Sequence, residues 1–179
     1  LCWQVPFPEG TIKNWSNMDD VELSIYPSAQ WQHNILGIKS VDMKNSRVFL
    51  DPPCSFQVTQ SEWHNPSVYV ENILEGLDSP GEWVLNTHEH KLYYWPESEE
   101  EPERIYAPTL REYILVQGKI DEQGPVDIPV RNLSFKGFLF THGARYKWKD
   151  GDMGANEDWE LYDVDNALVR FRGAENCAV

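Results

Sequence analysis

Apolar and polar positions alternate along most of this chain with a period of two. Val21-Glu22-Leu23-Ser24-Ile25-Tyr26 alternates throughout, as a strand with one buried face does. From Gln32 to Met43, Ile35, Leu36, Ile38, Val41 and Met43 form a second β-type run, with a kink expected at Gly37. Arg47-Val48-Phe49-Leu50 is a third, expected to end at Asp51-Pro52-Pro53. Lys44-Asn45-Ser46 between the last two reads as a hairpin turn. A second hairpin is clearer. Glu82-Trp83-Val84-Leu85-Asn86 and Lys91-Leu92-Tyr93-Tyr94-Trp95 flank the polar linker Thr87-His88-Glu89-His90, between Pro80-Gly81 and Pro96. A helical period is confined to Val68 to Leu77, where Val70, Ile73, Leu74 and Leu77 predict a short helix stopped by Asp78-Ser79-Pro80-Gly81.

Beyond the acidic connector Glu97 to Glu103, Tyr113-Ile114-Leu115-Val116 predicts a strand ending at Gly118, and Asp121 to Pro125 a loop. A repeat follows. Arg131-Asn132-Leu133-Ser134-Phe135 and Glu175-Asn176-Cys177-Ala178-Val179 each place an Asn beside an alternating run. That run would point Leu133 and Phe135, or Cys177 and Val179, to one side. A recurring unit of this kind suggests a stacked β-coil, which cannot bury its face without the next turn. The expectation is a piece of a larger protein whose coils continue past Val179. The polar and aromatic stretch from Arg145 to Asn166 separates the two copies. The fold class expected is all-β: a compact sandwich-like or barrel-like module with one short helix over 1–108, then the start of a solenoid over 109–179.

Composition narrows the function classes. An apolar content of 41% with eight Trp excludes a disordered chain. Fifteen Lys and Arg stand against 29 Asp and Glu, a net charge of -14. Phosphate binding needs a cationic face, so neither nucleic acid nor an anionic membrane is an expected partner. Cys2, Cys54 and Cys177 share no CxxC spacing and their number is odd, so no zinc site or disulfide framework follows. No glycine-rich phosphate loop is present, and no cofactor is expected.

The hairpin Pro80 to Pro96, preceded by Tyr69-Val70-Glu71-Asn72, resembles a block found in large secreted right-handed parallel β-helix proteins of the pectin-lyase-like type. Val130 to Phe138 and Val169 to Val179 are similar to the start of their coils. Most such proteins are bacterial and carbohydrate-active, with glycoside hydrolases among them. The resemblance implies a β-rich module interrupting a β-helix after its first coils. It further implies a secreted, periplasmic or cell-surface location, a polysaccharide or oligosaccharide partner, and the parent's remaining β-helix as a neighbour.

Candidate chemistry concentrates between the repeats. Glycoside hydrolysis uses two carboxyl groups, roughly 5 Å apart for retention and roughly 6.5–9.5 Å for inversion. Asp158 and Glu160, two residues apart on an extended strand, would share a face at roughly 6.6 Å. They are the candidate catalytic pair, with Asp152 next. Trp148, Trp159 and Tyr146 are candidate sugar platforms, and His142 a candidate groove-facing proton donor. The bland alternatives are a solvated loop over the solenoid end and a backbone-bonded strand-end histidine. His88 and His90 form a His-x-His pair, read either as a metal pair or as a solvated hairpin tip. Trp83 and Trp95 are expected as cross-strand pairs and core. The leading function is part of a glycoside hydrolase acting on a polysaccharide. The alternative is a module that binds glycan without turnover or caps the solenoid.

Overall fold

The computed structural model describes residues 2–27, 33–54, 57–58, 65–99, 102, 104–121, 124, 126–145 and 167–179. Its regular structure is all-β apart from two three-residue 3-10 turns. No helix among the described residues is long and apolar enough to cross a membrane. The described residues divide into two compact units, one before Arg104 and one from Arg104 on.

The first unit is built on β1 (Cys2–Pro6), β2 (Glu22–Tyr26), β3 (Asn34–Asp42), β4 (Arg47–Cys54) and β5 (Ser67–Glu71). They form one antiparallel sheet in the order β1-β4-β3-β2-β5. Alternation places the apolar residues in rungs. Val70, Leu23 and Leu36 are cross-strand neighbours, as are Val5, Val48 and Val41. Leu23, Ile25, Leu36, Val48 and Leu50 are fully buried and form the core with Val5, Ile12, Cys54 and Val58. Burying each large aliphatic side chain contributes roughly 1.5–3 kcal/mol.

Three local expectations are corrected. The irregularity expected at Gly37 falls two residues later: β3 continues through Gly37, and the β3–β4 register shifts between Ile38 and Ser40, a bulge at Lys39. Asp51-Pro52-Pro53 does not end β4, which continues to Cys54. The prolines fall where the β1 ladder shifts register between Cys2 and Gln4, so the N–H groups they lack are not needed there. The helix over Val68 to Leu77 is absent. Val68, Tyr69 and Val70 pair with β2 as β5, and only Leu74–Gly76 coils, as a 3-10 turn. β-branched and aromatic side chains favour the sheet edge, and Asn72 breaks the run with a φ of 61°. The turn after β3 forms as expected. The Asp42 carboxylate accepts bonds from the Asn45 backbone N–H (3.0 Å) and side-chain amide (2.6 Å). Those bonds, the side-chain one foremost, hold its carboxyl below the usual range.

A separate hairpin pairs β6 (Trp83–Asn86) with β7 (Lys91–Tyr94). The second unit contains β8 (Ile114–Gln117), β9 (Val130–Arg131), β10 (Val169–Arg172) and β11 (Ala174–Glu175). Here the pairing is parallel: β8 lies beside β10, β9 beside β11, and Ser134 bridges Ala178. Arg131 stands opposite Glu175 in this register, and their side chains form an ion pair at 2.6 Å. The two copies of the sequence repeat thus lie side by side. Asn132 and Asn176 both adopt left-handed backbone, with φ of 59° and 53°, which Asn tolerates better than most residues. Gly118 has no room for a side chain, since a Cβ there would lie 2.3 Å from the Gly173 carbonyl oxygen.

Candidate functional site

Of the residues singled out by sequence, Tyr146, Trp148, Asp152, Asp158, Trp159 and Glu160 lie outside the described residues. His142 lies within them. Its exposed ring stacks on Tyr106 with centroids 4.4 Å apart, and its carbonyl accepts the Tyr113 hydroxyl at 3.0 Å. His88 and His90 sit in the four-residue turn between β6 and β7. No group of three or more His, Cys, Asp or Glu that could hold a metal ion occurs among the described residues.

The hairpin carries the most distinctive surface of the first unit. Glu82 prepares its entry by accepting the backbone N–H groups of Asp78 (2.8 Å) and Ser79 (2.9 Å). Gly81, at a φ of 92°, donates to the Trp95 carbonyl, and Trp95 donates back to Glu82, which extends the ladder by one rung. At the tip, the Asn86 side chain accepts the Glu89 N–H at 3.0 Å. Asn86 is buried, as is Val84 on the same face. Strand parity then sends Trp83, Leu85, Leu92 and Tyr94 outward. Trp83 stands opposite Tyr94, and Leu85 opposite Leu92. Trp83 thus forms the expected cross-strand pair, while the expected burial is corrected: Trp83 and Trp95 are 61% and 43% exposed. The aromatics emerge on the face opposite buried Val84 and Asn86.

A second amide ties the hairpin to the sheet. The Asn72 side chain accepts the Leu85 N–H and donates to the Leu85 carbonyl, both at 2.8 Å, as a neighbouring strand would. It also donates to the Asp20 carbonyl at 2.9 Å. The Asp20 carboxylate accepts the Thr87 N–H and hydroxyl. Sequence reasoning missed this role; an Asn ending an alternating run, where left-handed backbone is tolerated, was the available signal. Near the tip, Glu89 accepts the Tyr93 hydroxyl at 2.6 Å and the Lys91 ammonium at 3.0 Å. The Tyr93 bond, then Lys91, holds the Glu89 carboxyl below its ordinary value, and the same bond raises the Tyr93 hydroxyl.

Glu82 and Glu89 are thus fixed by donors, as structural carboxylates are. What the outward face offers is contact: an indole and a phenol ring on one rung and two leucines on the next. Aromatic rings placed this way combine apolar area with polar edges.

The comparisons agree with a carbohydrate-active setting. Residues 2–97, more than half of the chain, match the model of the GH141 insertion domain. No curated protein and no solved structure matches the chain. The chain belongs to the GH141 insertion domain family and is part of a glycoside hydrolase family protein.

Proposed function

We propose that this chain is the glycan-contacting insertion module, together with first coils of a right-handed parallel β-helix, of a secreted glycoside hydrolase that cleaves polysaccharide. The observation that carries the contact role is the Trp83–Tyr94 rung, which faces outward although a hairpin of this composition could have buried it. An aromatic ring covers the apolar face of a pyranose while its hydroxyls keep their water or find polar side chains at the rim. Support for the coils comes from three parallel pairings in chain order, which set each segment of one repeat beside the same segment of the next.

Affinity electrophoresis through gels containing soluble polysaccharides tests the contact role. The chain is expected to be retarded by at least one glycan, and Trp83→Ala to weaken that binding roughly tenfold. Unchanged retardation in Trp83→Ala and Tyr94→Ala would sink the reading. The Leu85–Leu92 rung favours a second reading, in which the face covers another part of the parent protein. In that case the variants would leave glycan retardation untouched and destabilise the full-length enzyme.

Hydrolysis itself falls to a carboxylate pair of the parent. Within this chain the assigned pair is Asp158 and Glu160, with Asp152 next and with Trp148, Trp159, Tyr146 and His142 against the sugar; alone the chain is inactive. In the full-length enzyme, Asp158→Asn or Glu160→Gln is expected to lower turnover by roughly a hundredfold or more, with folding intact. Unaltered turnover would place the acid and base in other coils.

A further inference from the structure

A concavity lies on β1 and β4, lined by Gln4, Pro6, Arg47 and Phe49 between the core positions Val5, Val48 and Leu50, and reaching core residue Val58. It is an open cleft of 610 Å³, within the size range of small-ligand sites. Trp3 and Phe49 supply its aromatic surface, and Trp3 is half exposed. Gln4 lies directly across from Phe49 in the β1–β4 register, and Gln57 approaches from the segment after β4. Among the described residues, neither glutamine side chain has a hydrogen-bond partner. Arg47 is the single charged residue among the described residues of the lining. Its cross-strand neighbour is Asp42, whose two carboxylate oxygens are occupied by Asn45. No carboxylate among the described residues comes within ion-pair distance of Arg47.

A guanidinium without a carboxylate partner among the described residues, in an aromatic-walled cleft on a chain of net charge -14, suits an anion from outside. The carboxylates among the described residues have not filled it. The guanidinium fork matches a carboxylate with two parallel hydrogen bonds. The flanking indole and phenyl surfaces suit the C–H face of a sugar ring, and two free amides suit its hydroxyls. We propose that this cleft binds a carboxylated sugar, a uronic acid residue of a glycan, with Arg47 on the carboxylate and Trp3 against the ring. The proposal rests on the glycan-contact reading and deepens it: the aromatic hairpin accepts a neutral ring, whereas the Arg47 cleft selects an oxidised one.

The test is calorimetric titration of the full chain with paired oligosaccharides that differ only at C6: galacturonate against galactose oligomers, and glucuronate against glucose oligomers. In at least one pair the uronate is expected to bind about tenfold more tightly. Arg47→Gln should abolish that preference, Arg47→Lys should keep part of it, and Trp3→Ala should weaken the uronate. Trp83→Ala separates the two surfaces. If it removes neutral-glycan binding while Arg47→Gln leaves the uronate preference intact, the cleft assignment fails and the hairpin reading stands. Loss of neutral binding at the hairpin has no bearing on a preference that Arg47→Gln removes. Equal affinity within both pairs, or no uronate binding at millimolar concentration, overturns the proposal. Far-UV circular dichroism and urea midpoints confirm that each variant is folded.

Discussion

Glu89 shows how one side chain sets the pH range of the hairpin tip. Its carboxyl is held below the ordinary 4.5, chiefly by the Tyr93 hydroxyl. Its contribution to stability is therefore present above that value and is lost as pH falls through the lowered folded pKa. Tyr93 moves the other way, above its ordinary 10.0, because its proton is held by Glu89. That contribution is present below pH 10.0 and is lost as pH rises through the raised value. Carboxyl-carbon NMR should show Glu89 titrating below 4.5 in the chain and returning towards it in Tyr93→Phe. An unmoved titration in Tyr93→Phe would show that the hydroxyl is not the cause. The residue types were legible in the sequence; their pairing was not, because it depends on which side of β7 faces the turn.

At the scale of elements, the hairpin was readable in advance and its attachment was not. Composition and turn chemistry placed the two strands and the linker at Thr87 to His90, where they are found. No local rule links residue 72 to residue 85. Asn72 makes that link by acting as a strand substitute for Leu85. Removing its amide hands an exposed backbone N–H and carbonyl back to water, at a cost of roughly 0.5–1.5 kcal/mol per bond. Asn72→Ala is expected to lower the urea midpoint accordingly. Asn72→Gly, which keeps the left-handed backbone but lacks the amide, should remain destabilised. Recovery of full stability in Asn72→Gly would assign the effect to backbone conformation instead. The failed helix belongs to this scale too. Val70, Ile73, Leu74 and Leu77 fit a helical period, yet β2 offered Val68 to Val70 an edge to pair with, and a short helix is marginal without packing.

For the whole molecule, burial is uneven between the units. The large core cluster is confined to the first, whereas Val116 is the one buried apolar residue described in the second. Stability of the first unit should therefore respond most strongly to core truncation. Leu23→Ala is expected to cost roughly 2–5 kcal/mol, because the fully buried site leaves a cavity on all sides. Urea unfolding followed by Trp fluorescence measures it; a loss below about 1 kcal/mol would mean that the core collapses around the gap. The second unit relies on short parallel ladders, close backbone contact at Gly118, and the ion pairs Arg131–Glu175 and Arg170–Glu112.

Sequence alone determined the all-β class, most strand positions, both hairpin turns and the repeat, because each is written in short-range alternation and turn chemistry. The offset of the repeat even anticipated the parallel register, since Arg131 and Glu175 pair where the two copies align. Tertiary structure alone decided the outward aromatic rung, the Asn72 clamp and the Arg47 cleft. Each depends on which of two strand faces points to the core and on which distant groups are left unpaired. Alternation says that a strand has two faces; only packing against the rest of the chain says which one meets solvent.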